Sequence, residues 1–270
     1  MSDQPNRGTR LTQAATTAVF AAVIGAFLIF MLLPTAKLLL SGGVQGVTML
    51  GRDRELREAL GLTMLCATAA TALAVIGGTP LAYALARLRF PGRSAVAALV
   101  DLPLLIPHPV AGIALLLALG RQTAAGSLLA AIGTRITGTA TGIIAAMTFV
   151  AAPLFVAAAR EAFEQVDPRL EGVARTLGDS RYRAVRRVTL PLASRGLLAA
   201  GIVMWARAAS EFGAIVVLTY NPKIASVLAY DRFSSTGMSG ALPVAAVLVL
   251  IAIVPLVALR ALHPRREAES

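Results

Sequence analysis

The sequence predicts an all-α integral membrane protein with six transmembrane helices and both termini cytoplasmic. Three observations carry that expectation. Of 270 residues, 57% are apolar and only 14% are charged, with a mean hydropathy of +0.74. A soluble domain carries about 25% charged residues, so so few charges could not cover a water-exposed surface. Six long runs are free or nearly free of charge, and the Lys and Arg residues between them are unevenly distributed.

The first run, Leu11 to Ala36, carries no charge. Its apolar core exceeds the roughly 7–15 residues of a signal peptide, so it reads as a retained helix after a cytoplasmic tail at 1–10. The second span is expected at 59–86, long enough to tilt. The third, 96–120, is broken by Pro103, Pro107 and Pro109. The fourth, 136–159, is clean, and the fifth, 196–219, is apolar apart from Arg207 and Glu211. The sixth is 241–259, followed by a cytoplasmic tail at 260–270. Each run approaches the roughly 20 residues that a bilayer demands. Their continuity fits helices and not the alternating strands of a barrel.

Orientation follows from Lys and Arg. With the N-terminus inside, Arg7, Arg10, Arg87, Arg89, Arg93, Arg260, Arg265, Arg266 and the arginines of 160–195 fall inside. Lys37, Arg52, Arg54, Arg57, Arg121, Arg135, Lys223 and Arg232 fall outside. The bias is about two to one toward the inside. The net charge of +11 is therefore a topology signal, with anionic membrane lipid as its natural contact. Nucleic acid as a partner is excluded, because it would require a basic face on a soluble fold.

Absent patterns narrow the chemistry. Neither Lys37 nor Lys223 follows a glycine, so the chain has no phosphate-binding P-loop of its own. His108 and His263 each precede proline, which removes a zinc-binding His-Glu-x-x-His helix. Cys66 is the single cysteine, so neither a disulfide nor a cysteine-rich metal site is available. No catalytic residue, metal or cofactor is expected.

The loop 160–195 is the most patterned segment. Asp167-Pro168 reads as a helix start, and Leu170, Val173, Ala174 and Leu177 then share one face. Gly178 suits a left-handed stop, and Asp179 or Ser180 can cap a second short helix. Leu190-Pro191 is expected to end that helix before the fifth span. From periodicity this helix–Gly–helix hairpin either rests on lipid headgroups or docks to a partner protein.

The stretch Leu170-Glu-Gly-Val-Ala-Arg-Thr-Leu-Gly178, then nine residues, then Val188-Thr-Leu-Pro191 resembles the cytoplasmic signature of ABC importer permeases. That signature reads Glu-Ala-Ala, three residues, Gly, nine residues, Ile, one residue, Leu-Pro. Here Gly172 stands in the signature's Glu position, Val173 in that of the first Ala, and Glu171 lies one place early. Arg89-Phe-Pro-Gly-Arg93, Asp101-Leu-Pro103, the Pro107 to Gly112 segment and Ala206-Arg-Ala-Ala-Ser-Glu-Phe-Gly213 are similar to the molybdate/tungstate and sulfate permease branch. The segment from Tyr220-Asn-Pro-Lys-Ile-Ala to Ala229-Tyr-Asp-Arg-Phe233 resembles archaeal-type molybdate/tungstate permeases. The matches span roughly 60–255, with His108-Pro109 departing from the branch's Pro-Val.

The resemblance implies a non-catalytic permease subunit of a type I importer. It implies a second permease subunit, with a homodimer expected, cytoplasmic ABC ATPase subunits that each receive one hairpin, and an extracytoplasmic oxyanion-binding protein. The hairpin residues concerned are Leu170, Glu171, Val173, Ala174, Leu177, Gly178, Leu190 and Pro191. Pro107, His108, Gly112, Arg207 and Glu211 are candidates for the pathway or its gate, and Lys223 and Arg232 for the binding-protein dock. Spaced four apart, Arg207 and Glu211 share a face if their helix is continuous. Three readings stand: a lock between the two, a pairing across the subunit interface or in the pathway lining, or attraction of the oxyanion by Arg207. A sulfate or thiosulfate importer is the nearest alternative. A secondary transporter or channel would need coupling charges or paired broken helices in matching halves.

Overall fold

The computed structural model describes the backbone of residues 7–262 and the side chains of 16–260. The tail charges Arg7, Arg10, Arg265 and Arg266 therefore lie outside the described side chains. Among the described residues every regular element is helical. Five helices are long and apolar enough to cross a membrane, and a bent pair makes a sixth span.

Helix α1 runs from Arg7 to Arg52, past the expected end at Ala36 and through Pro34. Its first half, Val19 to Leu33, is exposed along its length, as a helix in lipid would be. Its second half packs on the last helix, α12 (Met238–Leu262). Gly42 and Gly46 allow the approach: a Cβ at Gly46 would lie 2.6 Å from the Pro243 carbonyl. Small residues one helical turn apart bring helices together in lipid, where apolar burial supplies little drive.

Asp53 breaks the chain and caps α2 (Arg54–Arg87), accepting the Leu56 amide at 3.0 Å. Alanines 67, 70 and 74 of α2 and Cys66 are buried against Ile143, Ala146, Met147 and Val150 of α6 (Ala140–Glu164). Between them lie α3 (Arg93–Leu105), α4 (His108–Leu119) and the short α5 (Ala124–Ala131). The third span is not one rod: α3 and α4 meet at 116°. Pro107 explains the break, since the residue before a proline is driven out of the helical region and Ile106 is extended.

After α6 comes the hairpin, α7 (Pro168–Thr176) and α8 (Arg181–Ala184). Leu190-Pro191 does not end it, which corrects the expectation. A π-helical turn at Val185–Thr189 joins α8 to α9 (Leu190–Ala209), so one helix continues from Arg181 to Ala209. In an α-helix, Pro191 would remove a donor and clash with a carbonyl one turn back. The wider turn, in which the Leu190 amide bonds Val185, absorbs the extra residue just before the proline. The expected fifth span breaks instead at Ser210–Phe212, before α10 (Gly213–Leu218). Helix α11 (Ala225–Thr236) then leads to α12.

Candidate functional site

The two broken spans meet each other. Gly213 opens α10 against the start of α4, where a Cβ would lie 2.7 Å from His108 Cβ. At Gly112 a Cβ would lie 2.6 Å from the Ala214 carbonyl. The crossing thus requires glycine on both helices.

His108, Arg207 and Glu211 converge there. Glu211 is 1% exposed. Its Oε1 accepts the Ala214 amide at 2.9 Å and so caps α10. Its Oε2 lies 2.9 Å from Arg207 Nη2 and 3.0 Å from His108 Nδ1, close approaches without a well-aligned hydrogen bond. Arg207 Nη2 also lies 2.8–2.9 Å from both His108 ring nitrogens. The Glu211 backbone carbonyl accepts Ser226 Oγ at 2.7 Å. One residue therefore ties α4, α9, α10 and α11 together. Arg207 and Glu211 do pair, but not along one continuous helix: Arg207 is in the last turn of α9, and Glu211 is in the break beyond it. Sequence spacing offered no link between His108 and this pair, nor any sign of Ser226. Pro107 sets the α3–α4 elbow, and Gly112 sits in the contact that fixes it.

A second group of predicted residues lies on the hairpin. Asp167 caps α7 by accepting the Arg169 amide, and Ser180, rather than Asp179, caps α8. Gly178 has φ +98° and closes α7 with two bonds, Gly178 N–H to Arg175 and Asp179 N–H to Ala174. That paired geometry is the usual reason for glycine at this position. Leu170 and Val173 are exposed and Leu177 is 84% exposed, flanked by Arg169 and Arg175. Ala174 is half-buried, and Leu190 packs on the core while Pro191 opens α9. Glu171 turns inward. It accepts Tyr83 Oη of α2 at 3.0 Å and Thr189 Oγ1 of the π turn at 2.5 Å. Arg87, one turn beyond Tyr83, donates to the Phe163 carbonyl at 2.8 Å and to that of Val166. Tyr83, Arg87 and Thr189 had no signal in the sequence, because their partners are distant along the chain.

At the opposite end of α2, Lys223 and Arg232 are held by carboxylates. Lys223 bonds Asp231 at 2.7 Å and Glu55 at 3.3 Å, and Arg232 bonds Asp53 at 2.6 Å and Glu55 at 3.1 Å. Arg232 holds the Asp53 carboxyl below the usual carboxylate range, and Lys223 does the same for Asp231. The Asp231 carboxylate raises Lys223 in turn. Two dock candidates therefore fasten α11 to the start of α2. Tyr230 and Phe233 of α11 are about half exposed, Tyr230 with its ring against Phe212 at 5.2 Å. The hairpin and this network lie at opposite ends of α2, as the two-sided charge pattern requires. Among the described residues no cluster of His, Cys, Asp and Glu could hold a metal.

The fold and these contacts define a multi-pass helical membrane protein with a structured hairpin at one end of its second helix. The chain belongs to the family of binding-protein-dependent transport system inner membrane components, whose profile matches residues 78–268. It is accordingly an inner-membrane permease subunit of the ABC importer class. It is 41% identical, over 94% of its length and 98% of the relative's, to the molybdate/tungstate transport system permease protein WtpB of Thermococcus kodakarensis. It is 39% identical to a probable molybdenum ABC transporter permease protein of Haloferax volcanii, over 93% of each. The sulfate transport system permease protein CysT of Salmonella typhimurium is 31% identical over 76% of this chain and 75% of its own length. The fold matches a bacterial ABC transporter involved in alginate import at a TM-score of 0.71 and 20% identity, over 93% of this chain and 94% of that one.

Proposed function

We propose that this permease forms the pathway of an importer for a tetrahedral oxyanion, molybdate or tungstate. ATP hydrolysis on separate cytoplasmic subunits drives it, and an extracytoplasmic binding protein delivers the ion. The observation that carries the reading is the 41% identity to WtpB across nearly the full length of both chains. Sulfate is the second reading, favoured by the 31% identity to CysT.

The geometry agrees with a division of labour. At the inner face, Leu170, Val173 and Leu177 form an unpartnered apolar stripe between arginines, a surface suited to a groove on an ATPase subunit. Within the spans, the fixed elbow at Pro107 and the His108–Arg207–Glu211 cluster hold two broken helices together. Broken helices at membrane depth are tolerated where protein buries them or where they line a cavity. We assign this crossing to the wall of the pathway, formed with a second copy of the chain. At the outer face, α11, held by Lys223 and Arg232, is the part we assign to the binding-protein dock. The permease itself performs no chemistry: its side chains position helices, and the energy comes from elsewhere.

Co-expression with its ATPase and reconstitution into liposomes with the binding protein tests the reading. The expected result is accumulation of molybdate and tungstate that requires both ATP and the binding protein and exceeds that of sulfate. Preferential sulfate accumulation transfers the assignment to the second reading. Uptake by the permease alone, without ATP, overturns both in favour of a secondary transporter or channel.

A further inference from the structure

We propose that Glu171 is a positioning residue that couples the hairpin to the transmembrane body, an inference that rests on the ATP-driven reading above. Helix α7 has no buried residue. Its apolar residues Leu170, Val173 and Leu177 are exposed, so buried apolar packing does not hold it in place. Glu171 supplies the attachment from its first turn. One carboxylate oxygen accepts Tyr83 Oη at 3.0 Å, and the other accepts Thr189 Oγ1 at 2.5 Å.

Both partners are firmly seated. Thr189 is fully buried at the end of the π turn, in the helix that continues to Arg207. The Tyr83 ring stands edge-on to Phe163 at 5.6 Å, and Phe163 is fully buried in α6. A displacement of α7 is therefore delivered at two points, to the inner end of the second span and to the root of the fifth. Hydrogen bonds to a charged group are the stronger class, and they are directional where apolar contacts slide. The signature's glutamate position is occupied by Gly172, which is exposed. The acid one place earlier faces the permease's own helices, which suits it to transmission within the permease rather than to recognition of the ATPase.

The test uses the full complex in liposomes and measures oxyanion accumulated per ATP hydrolysed. Glu171→Ala is expected to lower that ratio about fivefold or more while hydrolysis stays within about twofold, since it removes two charge-assisted hydrogen bonds without touching the stripe. Glu171→Gln, which keeps one acceptor oxygen, is expected to restore part of the ratio. Tyr83→Phe and Thr189→Val delete one hydroxyl each with shape retained, and they keep the test available should Glu171→Ala fail to assemble. Each is expected to lower the ratio less, and Tyr83→Phe to add little on top of Glu171→Ala. A purely structural role predicts that assembly, hydrolysis and uptake fall together with the ratio unchanged, and that result overturns the inference. So does full additivity of Tyr83→Phe with Glu171→Ala. A wild-type complex that accumulates no oxyanion with ATP overturns the importer reading and this inference with it. A wild-type complex that transports, beside a Glu171→Ala complex with an unaltered ratio, overturns the inference alone.

Discussion

Glu171 and Glu211 are both acids that join helices distant in sequence, yet their surroundings differ in kind. Glu171 sits half-buried in the hairpin and takes its bonds from two hydroxyls. Glu211 is enclosed within the spans, where an amide and two basic side chains surround it. Near water a carboxylate keeps part of its solvation, and neutral donors suffice. In a dry interior the desolvation of a charge has to be offset by opposite charge, or the group does not remain ionised. The contrast carries a functional lesson. A charge cluster that is costly to separate fixes a geometry, and hydroxyl contacts at the surface join elements that move as a machine turns over. On the assignments proposed above, the α4–α10 crossing acts as a rigid wall and the hairpin junction as a transmission.

The largest expected effect breaks this comparison at its stronger end. Glu211→Ala leaves Arg207 beside His108 without a carboxylate and uncaps α10, and removing one partner of a buried pair costs about 3–5 kcal/mol. Glu171→Ala, by the same reasoning, costs about 1–2 kcal/mol for two half-exposed bonds. Thermal unfolding of the two purified variants in one detergent checks the ranking. Equal losses would show that the two sites do not differ as their burial implies. Glu211→Gln is expected to fall between, because it keeps the acceptor for the Ala214 amide and loses the charge.

The next effect sharpens the comparison by leaving every charge in place. Gly213→Val forces side-chain carbons into a position where even a Cβ would stand 2.7 Å from His108 Cβ. Overpacking of this kind costs about 1–3 kcal/mol, and here it also pries His108 from Glu211. Gly178→Ala is the hairpin counterpart: no neighbour lies within 4 Å, but φ is +98°, so the loss is backbone strain of about 1 kcal/mol. A drop in uptake with Gly213→Val larger than that with Gly178→Ala, measured at equal amounts of assembled complex, supports the rigid-wall view. The reverse order would count against it.

The hairpin was legible in the sequence because its rules are local. Asp167, Pro168, Gly178 and Ser180 act on amides within a few residues of themselves, so spacing alone locates both short helices. Its end was not, because a π turn is a tertiary solution to Pro191 that periodicity does not encode. The length of α1 was hidden for a similar reason. Lys37 looked like the edge of a span, whereas the continuation to Arg52 depends on Gly42 and Gly46 meeting α12. The all-helical fold and its apolar spans came through, five single helices and one bent pair among the described residues, since hydropathy is a property of the chain itself. The Glu211 cluster did not, as nothing in one sequence links position 108 to position 211. Lys223 and Arg232 were legible as outward cations and illegible as ion pairs with Asp53 and Glu55.

Those pairs at the far end of α2 provide the smallest effect and a third setting for a carboxylate, partly exposed and paired with basic side chains. Asp53 and Asp231 are held below the usual carboxylate range by Arg232 and Lys223, so their stabilisation is present at neutral pH and disappears as the pH falls through that range. Lys223 is raised by Asp231, so its contribution is present below the ordinary amine range and disappears as the pH climbs above it. Between about pH 5 and 9 neither limit is reached, and the stability of this end is expected to be flat. Salt is the sharper probe. Lys223→Met is expected to lower stability by no more than about 1 kcal/mol in dilute buffer. At about 1 M salt, where the screening length is near 3 Å, the same substitution should have almost no effect. The Glu211→Ala loss should persist at high salt, because ions do not reach a carboxylate that is 1% exposed. Melting each variant at low and high salt therefore orders the settings by their access to solvent, and a Glu211 effect that salt erases would place that cluster in water rather than in the wall.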